Sequence, residues 1–267
     1  MNILLHVFVA ALYAGAAWAR WPTDDAGRPP RSAAGQALLA AALVTHAAII
    51  GRAIVHSDGL DLAFVNALSL VAGLSVLAAW LSGVLRTLPA VSAVVLPVAA
   101  LCVLLPPLAA STHRVSFAGE PWAAMHIAIA LCAYALFVVV ALQALVMTGL
   151  EKRLHRGLPA MNAAGAPPLL TLERYMFRLI AIGFALLTLT LASGILFSEQ
   201  LFGKAVTLTH KNVFSVAGWL AFAILLFGRW RYGWRGRTAL KWILGGTLLL
   251  VLGYLGSKFV LEVILRR

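Results

Sequence analysis

Thr207-Leu208-Thr209-His210-Lys211-Asn212 puts a histidine and a lysine side by side, and the sixteen residues that follow, 213–228, carry no charge. About 20 apolar residues span a bilayer. The stretch therefore reads as the polar mouth of a membrane helix over about 210–230. An ionisable pair at such a mouth is either an interfacial anchor or part of a site. Trp122-Ala123-Ala124-Met125-His126-Ile127 repeats the pattern, with His126 about one turn inside another apolar run.

The rest of the chain has the same character. It has 267 residues, of which 62% are hydrophobic and 11% charged, against about 25% charged in a soluble domain. A water-soluble core has no room for this much apolar surface. The predicted fold class is all-α, a polytopic membrane helix bundle. Apolar length places eight helices at about 2–19, 33–51, 61–83, 89–109, 122–149, 172–197, 210–230 and 238–264. Ala17-Trp18-Ala19 resembles a signal-peptidase site, but no positive residue precedes Arg20, so residues 2–19 read as a first membrane helix. Turn chemistry marks the breaks: Ser57-Asp58-Gly59, Pro89, Pro106-Pro107, Gly119-Glu120-Pro121 and Pro167-Pro168. No extramembrane segment is long enough for its own domain, so residues 1–267 read as a single membrane domain.

The net charge is +12. Most cations lie in short loops between apolar runs, where they orient helices and meet anionic headgroups. That placement argues against a nucleic-acid partner and for the lipid bilayer. With both termini outside, fourteen of the 21 Lys and Arg residues fall on the inner side and seven on the outer. The bias predicts N-out, C-out. Six of the seven histidines then share the outer face, His155 being the exception.

Histidines at helix ends commonly bond a nearby carbonyl, and His6, His56, His113 and His155 read that way. His46 and His126 lie within apolar runs, where an ionisable group is by default a functional candidate, and His210 borders one. Histidines from separate helices at one depth suit haem iron or another metal; the alternative is ordinary interhelical hydrogen bonding. The stripes His126, Ala130, Ala133, Phe137, Ala141 and His210, Phe214, Ala217, Ala221 read as packing surfaces. So do Gly245, Gly246, Gly253 and Gly256. Arg229–Arg237 is dense in cations and aromatics and reads as an inner-face anchor; an anionic headgroup or a haem propionate is the sharper alternative. Cys102 and Cys132 belong to no CxxC. HExxH, P-loop and GxSxG motifs and paired intramembrane carboxylates are absent, so the chain reads as a non-enzyme.

Four stretches of the second half resemble the cytochrome c assembly, haem-handling membrane family of the CcsA and CcmC type. They are Met125-His126-Ile127 through Ala133-Tyr134-Ala135; Glu173-Arg174-Tyr175 with Ile182-Gly183-Phe184 and Ala192-Ser193-Gly194; Gly233-Trp234-Arg235-Gly236-Arg237; and Gly253-Tyr254-Leu255-Gly256-Ser257. Together they cover about residues 120–260. Thr45-His46-Ala47 and Asp61-Leu62 through Ser69-Leu70 resemble the YpjD-like inner membrane protein branch. The haem-exporting members carry a tryptophan-rich WWD signature. The corresponding stretch here, 203–211, contains no tryptophan, and His210 stands where the aspartate would be.

The resemblance implies a multi-pass protein of the bacterial inner (cytoplasmic) membrane whose partners are haem and an apocytochrome or another membrane protein. It implies b-type haem near the outer face, with His126 as one axial ligand, His210 or His46 as the other, and Lys211 pairing with a propionate. Two alternatives remain. One is a haem-free accessory or scaffold subunit, for example of a cation transporter. The other, a small-ion transporter, lacks the buried carboxylates it needs.

Overall fold

A computed structural model of the chain describes residues 3–20, 33–56, 59–108, 114–115, 121–156, 168–196 and 210–264. Each of the eight apolar segments contains a helix among the described residues. In chain order the elements are α1 (Ile3–Trp18), α2 (Ala33–Ile54), β1 (Val55–His56), β2 (Gly59–Asp61), α3 (Phe64–Leu81), α4 (Val84–Thr87), α5 (Pro89–Val103), α6 (Leu105–Leu108), β3 (Arg114–Val115), α7 (Pro121–His155), α8 (Leu169–Leu196), α9 (His210–Tyr232) and α10 (Gly236–Val251). After α10 the chain continues with π-helical geometry over Leu252–Gly256 and Phe259–Ile264. Seven spans are long and apolar enough to cross a membrane: Ala33–Ile54, Phe64–Leu81, Pro89–Leu108, Trp122–Arg153, Leu169–Leu196, His210–Tyr232 and Gly236–Gly256. Helix α1 is apolar but has 16 residues, or about 24 Å of rise.

The chain forms two compact units. One comprises residues 1–115 and 152–168, the other 116–151 and 169–267. In the first, α1 packs on α2 and α5, and α3 packs on α2 and α5. Small side chains allow this close approach: Ala16, Ala42, Ala67, Ala79 and Ala99 are buried beside Tyr13, Leu39 and Leu96. Arg20 ties the ends of α1 and α2 together. Its Nη1 donates to the Ala16 carbonyl at 3.2 Å and to the Gly35 carbonyl at 2.9 Å. Burial pulls this guanidinium below its ordinary pKa.

The third helix begins at Phe64, not at 61. Residues 59–61 instead form the middle strand of a small antiparallel sheet. Val55 pairs with Leu60, His56 with Gly59, Leu60 with Val115 and Asp61 with Arg114. The Asp61 carboxylate then accepts the Ala63 amide at 3.1 Å, which favours a turn over a further helical residue. A short ribbon with open edges belongs outside the hydrocarbon layer, because lipid cannot satisfy its unpaired backbone groups.

In the second unit, α9 packs along α10, α8 and the first π-helical segment. Phe137 of α7 centres its core. The ring is fully buried, stacks on Phe222 with centroids 3.9 Å apart, and fills the space left by Gly183. Of the four glycines read as packing positions, two meet another helix. A Cβ on Gly246 would lie 2.9 Å from Phe222, and one on Gly253 would lie 3.0 Å from Cβ of Phe214. Gly245 has nothing within 4 Å.

Candidate functional site

Histidines occupy both units, in different chemical situations. In the first unit, His6 and His46 are buried. Nδ1 of His6 lies 2.7 Å from the Val103 carbonyl. A carbonyl only accepts, so this nitrogen carries the proton. Both nitrogens of His46 are engaged: Nδ1 with the Tyr13 hydroxyl at 3.0 Å, and Nε2 with the Ser69 hydroxyl at 3.0 Å. Gly73 of α3 faces the ring so closely that a Cβ there would stand 3.0 Å from two imidazole atoms. Tyr13, His46 and Ser69 thus link α1, α2 and α3 through one hydrogen-bonded chain.

His126 is placed differently. It is half-buried, one turn into α7. Its Nδ1 lies 2.8 Å from Oγ of Ser193 near the end of α8. The Ser193 hydroxyl also donates to the Thr190 carbonyl at 3.1 Å. A serine has one proton. Both contacts are satisfied together only if that proton goes to Thr190 and His126 donates through Nδ1–H. Nε2 is then the lone-pair nitrogen, the atom that imidazole offers a metal. Gly194 leaves room for the ring: a Cβ there would lie 3.4 Å from Cε1 of His126.

His210 and Lys211 open α9, and both are exposed. Residues 207–209 lie outside the described residues. The Lys211 charge is within electrostatic reach of His126, which puts the start of α9 at the same end of this unit as His126 and Ser193. Lys211 Nζ also stands 5.4 Å from the centroid of the Tyr254 ring. His126, His210 and Lys211 therefore belong to the second unit and His46 to the first. Among the described residues, no three His, Cys, Asp or Glu side chains converge to hold a bare metal ion. An axial haem ligand needs no such group.

The opposite end of the second unit carries the cation-rich corner. Glu173 of α8 accepts from Nη1 of Arg229 at 2.6 Å and from Nε of Arg235 at 3.0 and 3.1 Å. Its carboxylate holds the Arg235 guanidinium above its ordinary pKa. The Arg229 guanidinium covers the Phe177 ring at 4.6 Å. Trp234 closes over Gly228 and stacks on Trp242 at 5.8 Å. Two of the loop's arginines are thus committed to an internal carboxylate. Composition alone did not reveal that pairing, although Glu173 and Arg235 were both in the stretches that carried the resemblance.

Ser193, Tyr13 and Ser69 were missed as partners of the histidines. Serine and tyrosine are common in apolar helices, and only the packing selects which of them meet imidazole. Ala192-Ser193-Gly194 was the one available signal, with a small residue beside a hydroxyl.

A family model described as "Cytochrome C assembly protein" matches residues 35–265. Inner membrane protein YpjD of Escherichia coli K12 is 35% identical over 144 residues, 54% of each chain. A 28.8 kDa protein of Azospirillum brasilense is 33% identical over 144 residues, 54% of this chain and 53% of its own. Cytochrome c biogenesis protein CcsA of Prochlorococcus marinus MIT 9303 is 25% identical over 203 residues, 64% of each chain. The chain spans about half the length of the first of these relatives. No solved structure matches it.

Proposed function

The chain belongs to the cytochrome c assembly protein family, and from that premise we propose that it binds b-type haem through Nε2 of His126. It is a multi-pass protein of the bacterial inner membrane. The observation that carries the haem reading is the arrangement of Ser193 and His126. Ser193 takes the Nδ1 proton and aims the lone pair of Nε2, as the hydrogen-bonded partners of metal-ligating histidines do.

The residues present fit haem in their donor chemistry. His126 supplies imidazole, the exposed His210 a second imidazole, and Lys211 a cation. Haem, when bound, would supply an iron that accepts imidazole nitrogen, and two carboxylates. His126 would hold the iron, Ser193 would fix the ring, and Lys211 would pair with a carboxylate. Apolar residues of α7 and α8 would exclude water from the iron side. His46 has both nitrogens occupied within its own unit, which favours His210 as the second ligand. The site would present, move or sense haem without bond-making chemistry of its own, facing the outer side in the N-out arrangement.

Purified protein titrated with haemin tests this. The expected result is a Soret band that His126→Ala weakens and His46→Ala leaves in place. A protein that stays colourless with added haemin refutes it. The tryptophan-free stretch 203–211 favours one second reading, a haem-free accessory subunit of another membrane protein. That reading requires a colourless protein that co-purifies tightly with a membrane partner.

A further inference from the structure

We propose that the Arg229–Glu173–Arg235 cluster is a seat for the phosphate of an anionic phospholipid, whose acyl chains lie along the exposed face of α9. The seat lies at the end of the second unit opposite His126 and stands apart from the haem reading.

Two guanidinium groups share one carboxylate there. Oε1 of Glu173 accepts from Nη1 of Arg229 at 2.6 Å and from Nε of Arg235 at 3.0 Å, and Oε2 accepts from the same Nε at 3.1 Å. The trio carries one positive charge in excess. Arg235 spends only Nε on this contact. Its Nη1 and Nη2 make no hydrogen bond among the described residues, and its side chain is 47% exposed against 15% for Glu173. Glu173 thus holds the guanidinium by one edge and leaves the two terminal nitrogens open, the donor pair that grips two oxygens of a phosphate. Arg229 is fixed as well: Nη1 also donates to the Trp234 carbonyl at 3.3 Å.

The surrounding charge has one sign. Residues 200–261 contain no Asp or Glu. Arg231, Arg237 and Lys241 are exposed and make no ion pair among the described residues. Arg237 and Lys241 stand one turn apart at the start of α10, whose first turn has no acidic residue. Cations there oppose the helix dipole and each other, and an anion relieves both.

An apolar track leads up to the cluster. Val216, Leu220, Ile224 and Phe227 are exposed, and their spacing puts them on one face of α9. The Phe227 ring lies 6.0 Å from Trp230 and 6.2 Å from Tyr232. Tyr232 sits under the Arg231 guanidinium at 5.6 Å and stacks on Trp234 at 6.4 Å. Since the Trp234 carbonyl binds Arg229, contacts run without a gap from the track to Glu173. A ligand anionic at one end and apolar at the other fits this surface. A zwitterionic headgroup would bring its own cation into a field of cations, so the seat selects lipids of net negative charge.

Native mass spectrometry of the delipidated full chain in detergent tests the proposal, with phosphatidylglycerol, phosphatidylcholine and glycerophosphoglycerol as probes. Wild type should retain phosphatidylglycerol about ten-fold more tightly than phosphatidylcholine, the effect of one charge-assisted contact. Arg235→Gln should abolish most of that preference. Arg235→Lys, which keeps the charge but not the fork, should restore only part of it. Lys152→Gln makes the same charge change at the exposed end of α7 and should leave the preference in place. Thermal unfolding without added lipid confirms that each variant is folded. Equal binding of the two lipids by wild type, an equal loss in Lys152→Gln and Arg235→Gln, or full rescue by lysine would overturn the seat. Glycerophosphoglycerol bound as tightly as the intact lipid would overturn the acyl track.

Discussion

Ser193 of α8 accepts the Nδ1 proton of His126 of α7 across 67 residues of chain, at 2.8 Å. The bond joins two helices and chooses a tautomer. It gives an ionisable side chain in an apolar helix, which is costly by itself, a fixed ring orientation.

Removing the acceptor should therefore disorient the ligand. Ser193→Ala is expected to weaken haemin binding about ten- to hundred-fold, the usual effect of losing such a partner. Ser193→Thr, which keeps the hydroxyl, should bind nearly as wild type does. Haemin titration of both variants checks this, with thermal unfolding confirming that each is folded.

Gly194 gives a second handle on the same ring. A methyl group there would lie 3.4 Å from Cε1 of His126, at the tight edge of ordinary van der Waals contact. Alanine is the better helix former, so Gly194→Ala should leave the fold intact or stabilise it slightly. Haemin affinity should fall modestly, because the methyl removes the free space beside the imidazole. Measuring melting temperature and affinity together separates the two effects.

In the first unit the expectation is structural. His46 is 2% exposed and bonded at both nitrogens. Ser69→Ala or Tyr13→Phe strands one of them, at a cost of about 1–3 kcal/mol. Gly73→Ala should be comparably damaging, since its methyl would press on the ring at 3.0 Å. Thermal unfolding in detergent should fall for all three, while the haemin titration stays as in wild type.

Glu173 anchors the cation-rich corner. Arg229 and Arg235 keep 25% and 47% of their side-chain surface in solvent, so screening limits what the pairs contribute. Glu173→Gln is expected to cost about 1 kcal/mol, with a smaller effect at high salt. A double-mutant cycle with Arg229→Gln should recover most of that loss as coupling energy.

Much of the fold was legible because the bilayer imposes a length. Runs such as 33–51 and 172–197 have no other stable reading, and their helices lie within a few residues of the expected bounds. The strand at Gly59–Asp61 was not legible. Only its pairing with Val55–His56 and Arg114–Val115 makes it a strand, and neither partner has an alternating pattern long enough to notice. The π-helical ending was hidden for a related reason: Leu252–Ile264 has ordinary apolar helix composition. His126 stood out because a histidine in an apolar run is conspicuous. Its partner did not, because a hydroxyl in such a run is commonplace. Likewise His46 looked equivalent to His126 in sequence. The difference between them is Tyr13, Ser69 and Gly73, which packing alone brings to the ring.

Ligand rescue decides whether Nε2 of His126 holds iron. His126→Gly removes the imidazole and leaves space beside Gly194. This variant should lose the wild-type haem spectrum and regain it when free imidazole is added. A His126→Gly protein whose haem spectrum equals that of wild type, with no response to imidazole, would contradict it.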